Sequence, residues 1–189
     1  MINRLSTLLV ASAFLLAGCS DSLVDSPSAA DDSLGKRDRA AGQQTLTVVE
    51  TALAVNADSG EFSTLIAALS HAGLVEALDA FEQVTVFAPT DAAFAAIGLN
   101  ADNVAAAFPE DDDVAALTNI LLYHLKEGRQ FSRPVLNKKQ IEMVNGGFTY
   151  PDASGPSLVD ANGGAAPFVG TDVPASNGVI HIIGAVLLP

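Results

Sequence analysis

Apolar residues Phe62, Leu65, Ile66 and Leu69 fall at i, i+3, i+4 and i+7, the single stripe of an amphipathic helix. Asp58-Ser59-Gly60-Glu61 precedes it with the form of a capping box, Asp58 accepting from the first turn and Glu61 reaching back. Gly73 is a natural C-terminal stop, and Leu74, Leu78 and Phe81 continue the apolar supply. The period then changes. Val84 to Ala88 is a β-type run closed by Pro89. Thr90 or Asp91 caps the next helix, which carries Ala93, Phe94 and Ile97 and ends at Gly98. Asn100 opens another short helix with Val104 and Phe108. Val114, Leu117, Leu121, Leu122 and Leu125 mark a stronger one behind Glu110-Asp111-Asp112-Asp113. Those acids lack the spaced oxygens and glycine of a calcium loop. They suit the positive end of a helix dipole instead.

Beyond Gly128 the texture turns to strands and turns. Ile141–Val144, Asn145-Gly146-Gly147 and Phe148–Tyr150 read as a hairpin. Leu158-Val159 and Phe168-Val169 are short strands, and the polar stretches 152–155 and 161–166 are connections between strands. Asn177-Gly178 turns into a last run, Val179 to Leu188, that is apolar on both faces and therefore predicts a central buried strand. Helices gather early and strands late, the order of an α+β fold.

The first residues, MINRLSTLLVASAFLLAGC, belong to no fold. Arg4 supplies a positive start, and the apolar run from Leu8 to Ala17 is too short to span a bilayer comfortably. Leu16-Ala17-Gly18-Cys19 resembles the bacterial lipobox. The resemblance implies removal of residues 1–18 as a signal peptide and lipidation of Cys19, whose several acyl chains would anchor the protein stably. Residues 19–43, rich in Ser, Asp and Ala, read as a flexible tether, with Lys36-Arg37-Asp38-Arg39 as solvated linker. The folded part is expected over 44–189.

Composition narrows the function. Twenty-two acids against nine bases give a net charge of −13. Such a surface offers little to a nucleic-acid backbone, where affinity comes from Lys and Arg displacing counterions. Anionic lipid is disfavoured for the same reason, so membrane contact is expected only through the lipidated N-terminus. The bias toward Asp, with few Lys, is one that a salty habitat tolerates. One cysteine allows no internal disulfide.

Two segments and a short link carry a family resemblance. Thr85-Val86-Phe87-Ala88-Pro89-Thr90-Asp91-Ala92-Ala93-Phe94 resembles the first box of the fasciclin (FAS1) domain. Asn177-Gly178-Val179-Ile180-His181-Ile182-Ile183, with Val186-Leu187-Leu188-Pro189, resembles the second. Leu122-Tyr123-His124 between them resembles the family's Tyr-His motif, and the whole resemblance covers about residues 45–189 in one copy. Gly184 departs from the pattern, which often has an acid there. The resemblance implies a wedge-shaped β-sandwich with helices packed on it, in a single domain. It implies too a non-enzymatic, surface-held adhesion or protein-binding module, without cofactor or metal.

In animal members the Tyr-His region is linked to receptor binding, which points to Tyr123 and His124. The residues themselves favour a structural role: His124 borders the apolar stripe, and an imidazole there can tie helix to sheet. His181 alternates with Val179 and Ile183 on one strand face, and His71 sits near a helix C-terminus. No G-x-S-x-G, H-E-x-x-H, G-x-G-x-x-G or Walker pattern occurs. The expected location is the cell envelope, on the periplasmic side of the outer membrane or at the cell surface. The expected partner is an envelope or extracellular protein or polysaccharide. The alternative is an envelope small-ligand carrier or hydrolase with a pocket at the helix–sheet junction.

Overall fold

The computed structural model describes residues 46–189. The segments expected as signal peptide and tether, with Cys19, lie outside them. The first element is a helix, α1 (Val48–Ser59), where the sequence patterning placed none. Its start carries the capping box: the Thr47 hydroxyl accepts from Glu50 N–H, and the Glu50 carboxylate accepts from Thr47 N–H at 2.9 Å. The box expected at Asp58–Glu61 is therefore corrected. Asp58 sits in the last turn of α1, and Gly60, at φ +72°, ends that helix. Helix α2 (Ser63–His71) follows, with its apolar stripe and the Gly73 stop as expected, then α3 (Val75–Ala80), which buries Leu78.

Strand β1 (Val84–Pro89) is buried at every residue. Thr90 caps α4 (Asp91–Ala96) by accepting from Ala93 N–H, although Ile97 beyond it is exposed. Helix α5 (Val104–Ala107) is shorter than expected; Asn100 does not cap it but accepts from Asp102 and Asn103 N–H in the preceding turn. Helix α6 (Asp111–Leu122) has three acids in its first turn, as the dipole reading requires. Leu125 does not extend it: it lies on β2 (Leu125–Glu127). A one-turn helix, α7 (Ser132–Leu136), leads into the hairpin of β3 (Ile141–Glu142) and β4 (Phe148–Asp152), then β5 (Ser157–Val159). The short strand expected at Phe168-Val169 is the middle of an eleven-residue strand, β6 (Ala165–Ala175). The last strand, β7 (Gly178–Ile183), stops five residues before the Leu188 expected from the apolar run.

Seven strands form a mixed sheet in the order β2-β1-β7-β6-β5-β4-β3. Strand β7 is central: β1 pairs with it in parallel and β6 antiparallel. Strand β6 serves both halves of the sheet. Its Ala165–Pro167 pair with β5, and its bulged stretch from Phe168 pairs with β7. The two sheet ends approach each other, since Val144 N–H, just past β3, donates to Leu125 O on β2 at 2.8 Å. This leaves little open edge for another chain to pair with.

Strand alternation then divides the apolar side chains into two cores. Val84, Val86 and Ala88 of β1 and Ile180 of β7 face the helices, packing with Phe62, Leu65, Leu69, Leu117 and Leu121. Phe87 and Ile183 point the other way, against Ile141, Met143, Leu158 and Ala166 of the facing half-sheet. The α+β class expected from the sequence is present, a folded sheet with α1–α6 on one side and Val135 of the short α7 in the other core.

Two contacts join these layers. The Asp91 carboxylate accepts from Ser63 N–H at 3.2 Å and Thr64 N–H at 2.8 Å, capping α2 from another helix, while Asp91 N–H donates to Glu61 O. Gly178 lies where backbone meets backbone: a Cβ there would overlap the Val84 carbonyl oxygen and come within 2.8 Å of Val48 Cγ1. Gly178→Ala should therefore cost about 3 kcal/mol, the overpacking penalty at a site that cannot relax. Gly155→Ala, with open space around it, should be near neutral. Urea unfolding of the two variants checks this; equal midpoints would refute the close-approach argument. Asp91→Ala should lose about 1–2 kcal/mol in the same assay, since two amides of α2 lose their acceptor.

Candidate functional site

Tyr123 and His124 end α6 and turn the chain into β2, and both are interior: Tyr123 is 0% exposed and His124 3%. The Tyr123 hydroxyl donates to Phe148 O and accepts from Ala161 N–H at 3.2 Å, joining the β3–β4 hairpin to the loop after β5. Burial pushes its phenol up, against the opposing pull of the Ala161 amide. The ring is boxed in by Gly147, where a Cβ would come within 2.7 Å of it.

His124 is a clamp between helix and C-terminus. Its Nδ1 lies 2.8 Å from Ile120 O and its Nε2 2.9 Å from Leu187 N. The first atom must donate and the second accept, which assigns the neutral Nδ1–H tautomer. Burial drives its pKa down to about 4, with the Ile120 carbonyl opposing. Leu188 N–H is held in turn by the Asp160 carboxylate, which also accepts from Asn162 and Gly164 N–H. The apolar tail beyond β7 is thus not strand. It is a strap, buried at Val186 and Leu187 and exposed at Leu188, with its amides held by His124 and Asp160.

His181 occupies the other core. It stacks on Phe87 with ring centroids 5.5 Å apart and meets Phe168 edge-on at 5.8 Å. Nε2 lies 2.8 Å from Gln130 O, and Nδ1 accepts from Asp172 N–H at 3.2 Å, again a neutral ring. Burial lowers its pKa, with Gln130 and Asp172 opposing. Asp172 has a left-handed backbone (φ +62°), and its carboxylate accepts from both the backbone amide and the hydroxyl of Ser132 at the start of α7. Serine, aspartate and histidine therefore meet, but not in the order of a nucleophile triad. The carboxylate stands between the other two, and the far nitrogen of the ring is taken by a carbonyl, so the hydroxyl faces a carboxylate and not the imidazole of such a triad.

His71 is separate from both: its Nε2 lies 2.9 Å from Phe108 O, tying α2 to the end of α5. The three histidines do not converge, and no three or more His, Cys, Asp or Glu side chains gather at metal-binding distance among the described residues. Glu110–Asp113 stay on the surface at the start of α6. Asn177, expected as a turn residue opening the second box-like segment, is a junction. Its Oδ1 accepts from Val48 N–H at 2.8 Å, and its Nδ2 donates to Leu78 O at 3.1 Å. One amide thus joins α1, α3 and the start of β7. Its signals in the sequence are its place before Gly178 and its position at the start of the second box-like segment. Asp172 gave no such signal, because its role depends on a strand bulge.

The model of the fasciclin domain matches residues 60–189. The chain belongs to the fasciclin domain family. Protein sll1483 of Synechocystis sp. is 40% identical over 152 residues, covering 80% of this chain and 78% of that one. The transforming growth factor-beta-induced protein ig-h3 of Sus scrofa is 34% identical over 139 residues, 74% of this chain but only 19% of the pig protein. A solved fasciclin domain pair from the insect cell adhesion molecule Fasciclin I aligns at 21% identity with a TM-score of 0.49, over 66% of this chain and 45% of that one. The family boxes coincide with the structural joints: the first holds β1 and the Thr90 and Asp91 caps, and the second holds Asn177, Gly178 and His181.

The buried histidine generates a pH dependence. Unfolded, the His124 imidazole takes a proton near its ordinary value of 6.5; folded, only near 4. Between those values the unfolded chain binds more protons, so stability is full above pH 6.5 and falls as pH drops toward 4. The loss over that window is on the order of 3 kcal/mol. Unfolding of the wild type and of His124→Asn should be compared from pH 7.5 downward. The wild type should lose stability more steeply, and parallel curves would refute the assignment.

Proposed function

We propose that the protein is a non-enzymatic binding module of the cell envelope, lipid-anchored through Cys19 and acting in adhesion or protein–protein contact. The observation that carries this reading is the commitment of the interior polar groups to the fold. Every buried side-chain nitrogen or oxygen among the described residues has a partner within the chain. Tyr123, His124, Asp160 and His181 spend their hydrogen-bonding capacity on neighbouring backbone. An active site keeps a base, nucleophile or donor aimed at a substrate. These residues have no such freedom, so recognition falls to the exterior.

Membership of the fasciclin domain family supports the same direction. The lipobox-like Leu16-Ala17-Gly18-Cys19 would place such a domain outside the cytoplasm, with residues 19–43 as tether and 44–189 as the fasciclin domain.

The small-ligand alternative meets a size argument. At the helix–sheet junction there is a hollow between α1, α2, α3 and the sheet, lined by Ala52, Leu65, Leu69, Val75 and Ile180 among others. It is apolar, and its volume is about 30 Å³. Metabolite sites run to roughly 300–1,000 Å³ and carry a few polar groups for orientation. The hollow is a packing dent by that measure.

Two measurements test the proposal. Radiolabelled palmitate should enter the wild-type protein and not Cys19→Ala, which should move from the membrane to the soluble fraction. Cells lacking the gene should lose cohesion or surface binding, and restoring the wild-type gene should return it. Unchanged cohesion would remove the adhesion role, and a membrane-bound, unlabelled wild type would remove the anchor.

A further inference from the structure

The outer face of the second half-sheet exposes large apolar side chains where water would ordinarily select polar residues. Strand alternation sends Thr149, Leu158 and Ala166 inward and Phe148, Tyr150 and Asp152 of β4 outward. Their ladder partners are Glu142 on β3 and Val159 and Ser157 on β5. Phe148 is 37% exposed, Tyr150 46%, and Val169 farther across the face 63%. An antiparallel sheet with one free face normally alternates apolar-in, polar-out. Here the outward positions include two partly exposed aromatic rings.

Each ring has a carboxylate beside it. Glu142 is the cross-strand partner of Phe148, and Asp152 stands two residues beyond Tyr150 on the same side. Asp152 is fixed by its neighbour: Ser154 donates both its backbone amide, at 2.9 Å, and its hydroxyl, and these bonds hold the carboxyl below the usual range. Neither Lys nor Arg occupies an outward position on β3, β4, β5 or the first half of β6.

We propose that this face docks a basic segment of a protein partner, with Arg or Lys side chains laid over Phe148 and Tyr150 and their charged ends against Glu142 and Asp152. The proposal deepens the envelope-binding reading and rests on it. An aromatic face attracts a cation through its quadrupole. An adjacent carboxylate completes the match for a guanidinium, whose planar fork bonds it bidentately. The net charge of −13 repels a second copy of this chain and steers a basic partner inward. Aromatic and arginine side chains are also the residues that dominate protein interfaces.

The experiment uses the full chain and a fluorescein-labelled nona-arginine peptide, followed by anisotropy at about 0.1 M salt. Phe148→Ala with Tyr150→Ala leaves the net charge untouched, so it separates this face from bulk attraction. That double variant should bind about tenfold more weakly, with an unchanged melting temperature. Glu142→Gln with Asp152→Asn should weaken binding similarly, whereas Asp79→Asn on α3 should change it little. Aromatic variants that bind nona-arginine like the wild type would overturn the proposal. So would Tyr150-dependent binding of a neutral β-glucan such as laminarin without binding of the peptide, which would assign the face to polysaccharide. If the peptide result fails while cells lacking the gene still lose cohesion, the envelope-binding reading stands and only this surface is wrong.

Discussion

Strand β7 has a hydrogen-bonded strand on each side and protein on both faces, so its backbone and side chains are specified from four directions. The remainder of the domain is built around that confinement. Parallel pairing with β1 forces the long connection that carries helices, because parallel neighbours cannot be joined by a tight turn. Antiparallel pairing with β6 does use a tight turn, at Ser176-Asn177. The register between β1 and β7 requires the chain to enter β7 closely beneath Val84, and only glycine fits at residue 178. Asn177 then ties that entry to α1 and α3. A single turn sets both the sheet register and the seating of two helices.

The same confinement explains how much of the architecture could be read in advance. Val84–Ala88 and the run from Val179 were legible because burial on both faces leaves an uninterrupted apolar string. The hairpin was legible from Asn145-Gly146-Gly147, since Gly146 takes a left-handed backbone there. Helix α1 is obscured by its alanines, and its capping box at Thr47–Glu50 has a look-alike in Asp58–Glu61 eleven residues on. The tail was misread for a subtler reason. Leu187 is as apolar as a strand residue and as deeply buried, but its amide bonds a side chain rather than a ladder partner. Hydropathy reports burial and says nothing of what accepts the amide.

Polar joints were the hardest to foresee. Asp91, Asp160, Asp172 and Asn177 each satisfy backbone amides that are remote in sequence. Their contribution depends on topology, which the local pattern does not contain. His124 and His181 were picked out from sequence as candidates because their residue type is chemically versatile. The geometry employs only one part of that versatility: each neutral ring donates from one nitrogen and accepts at the other.

This use of polar groups constrains where a partner can be read. A buried group that serves as a clamp cannot also leave its partner to meet a ligand, because breaking the bond strands a buried donor or acceptor. Under the proposed binding role, recognition would use groups whose engagement costs the fold nothing. On the surface, isolated acids are abundant and individually uninformative in a chain of this charge. Exposed aromatics are the opposite case, since there are few of them and each leaves apolar area in water. Phe148 and Tyr150 share a face with Glu142 and Asp152, with both rings partly exposed. The proposed basic partner would bury them and answer their charge.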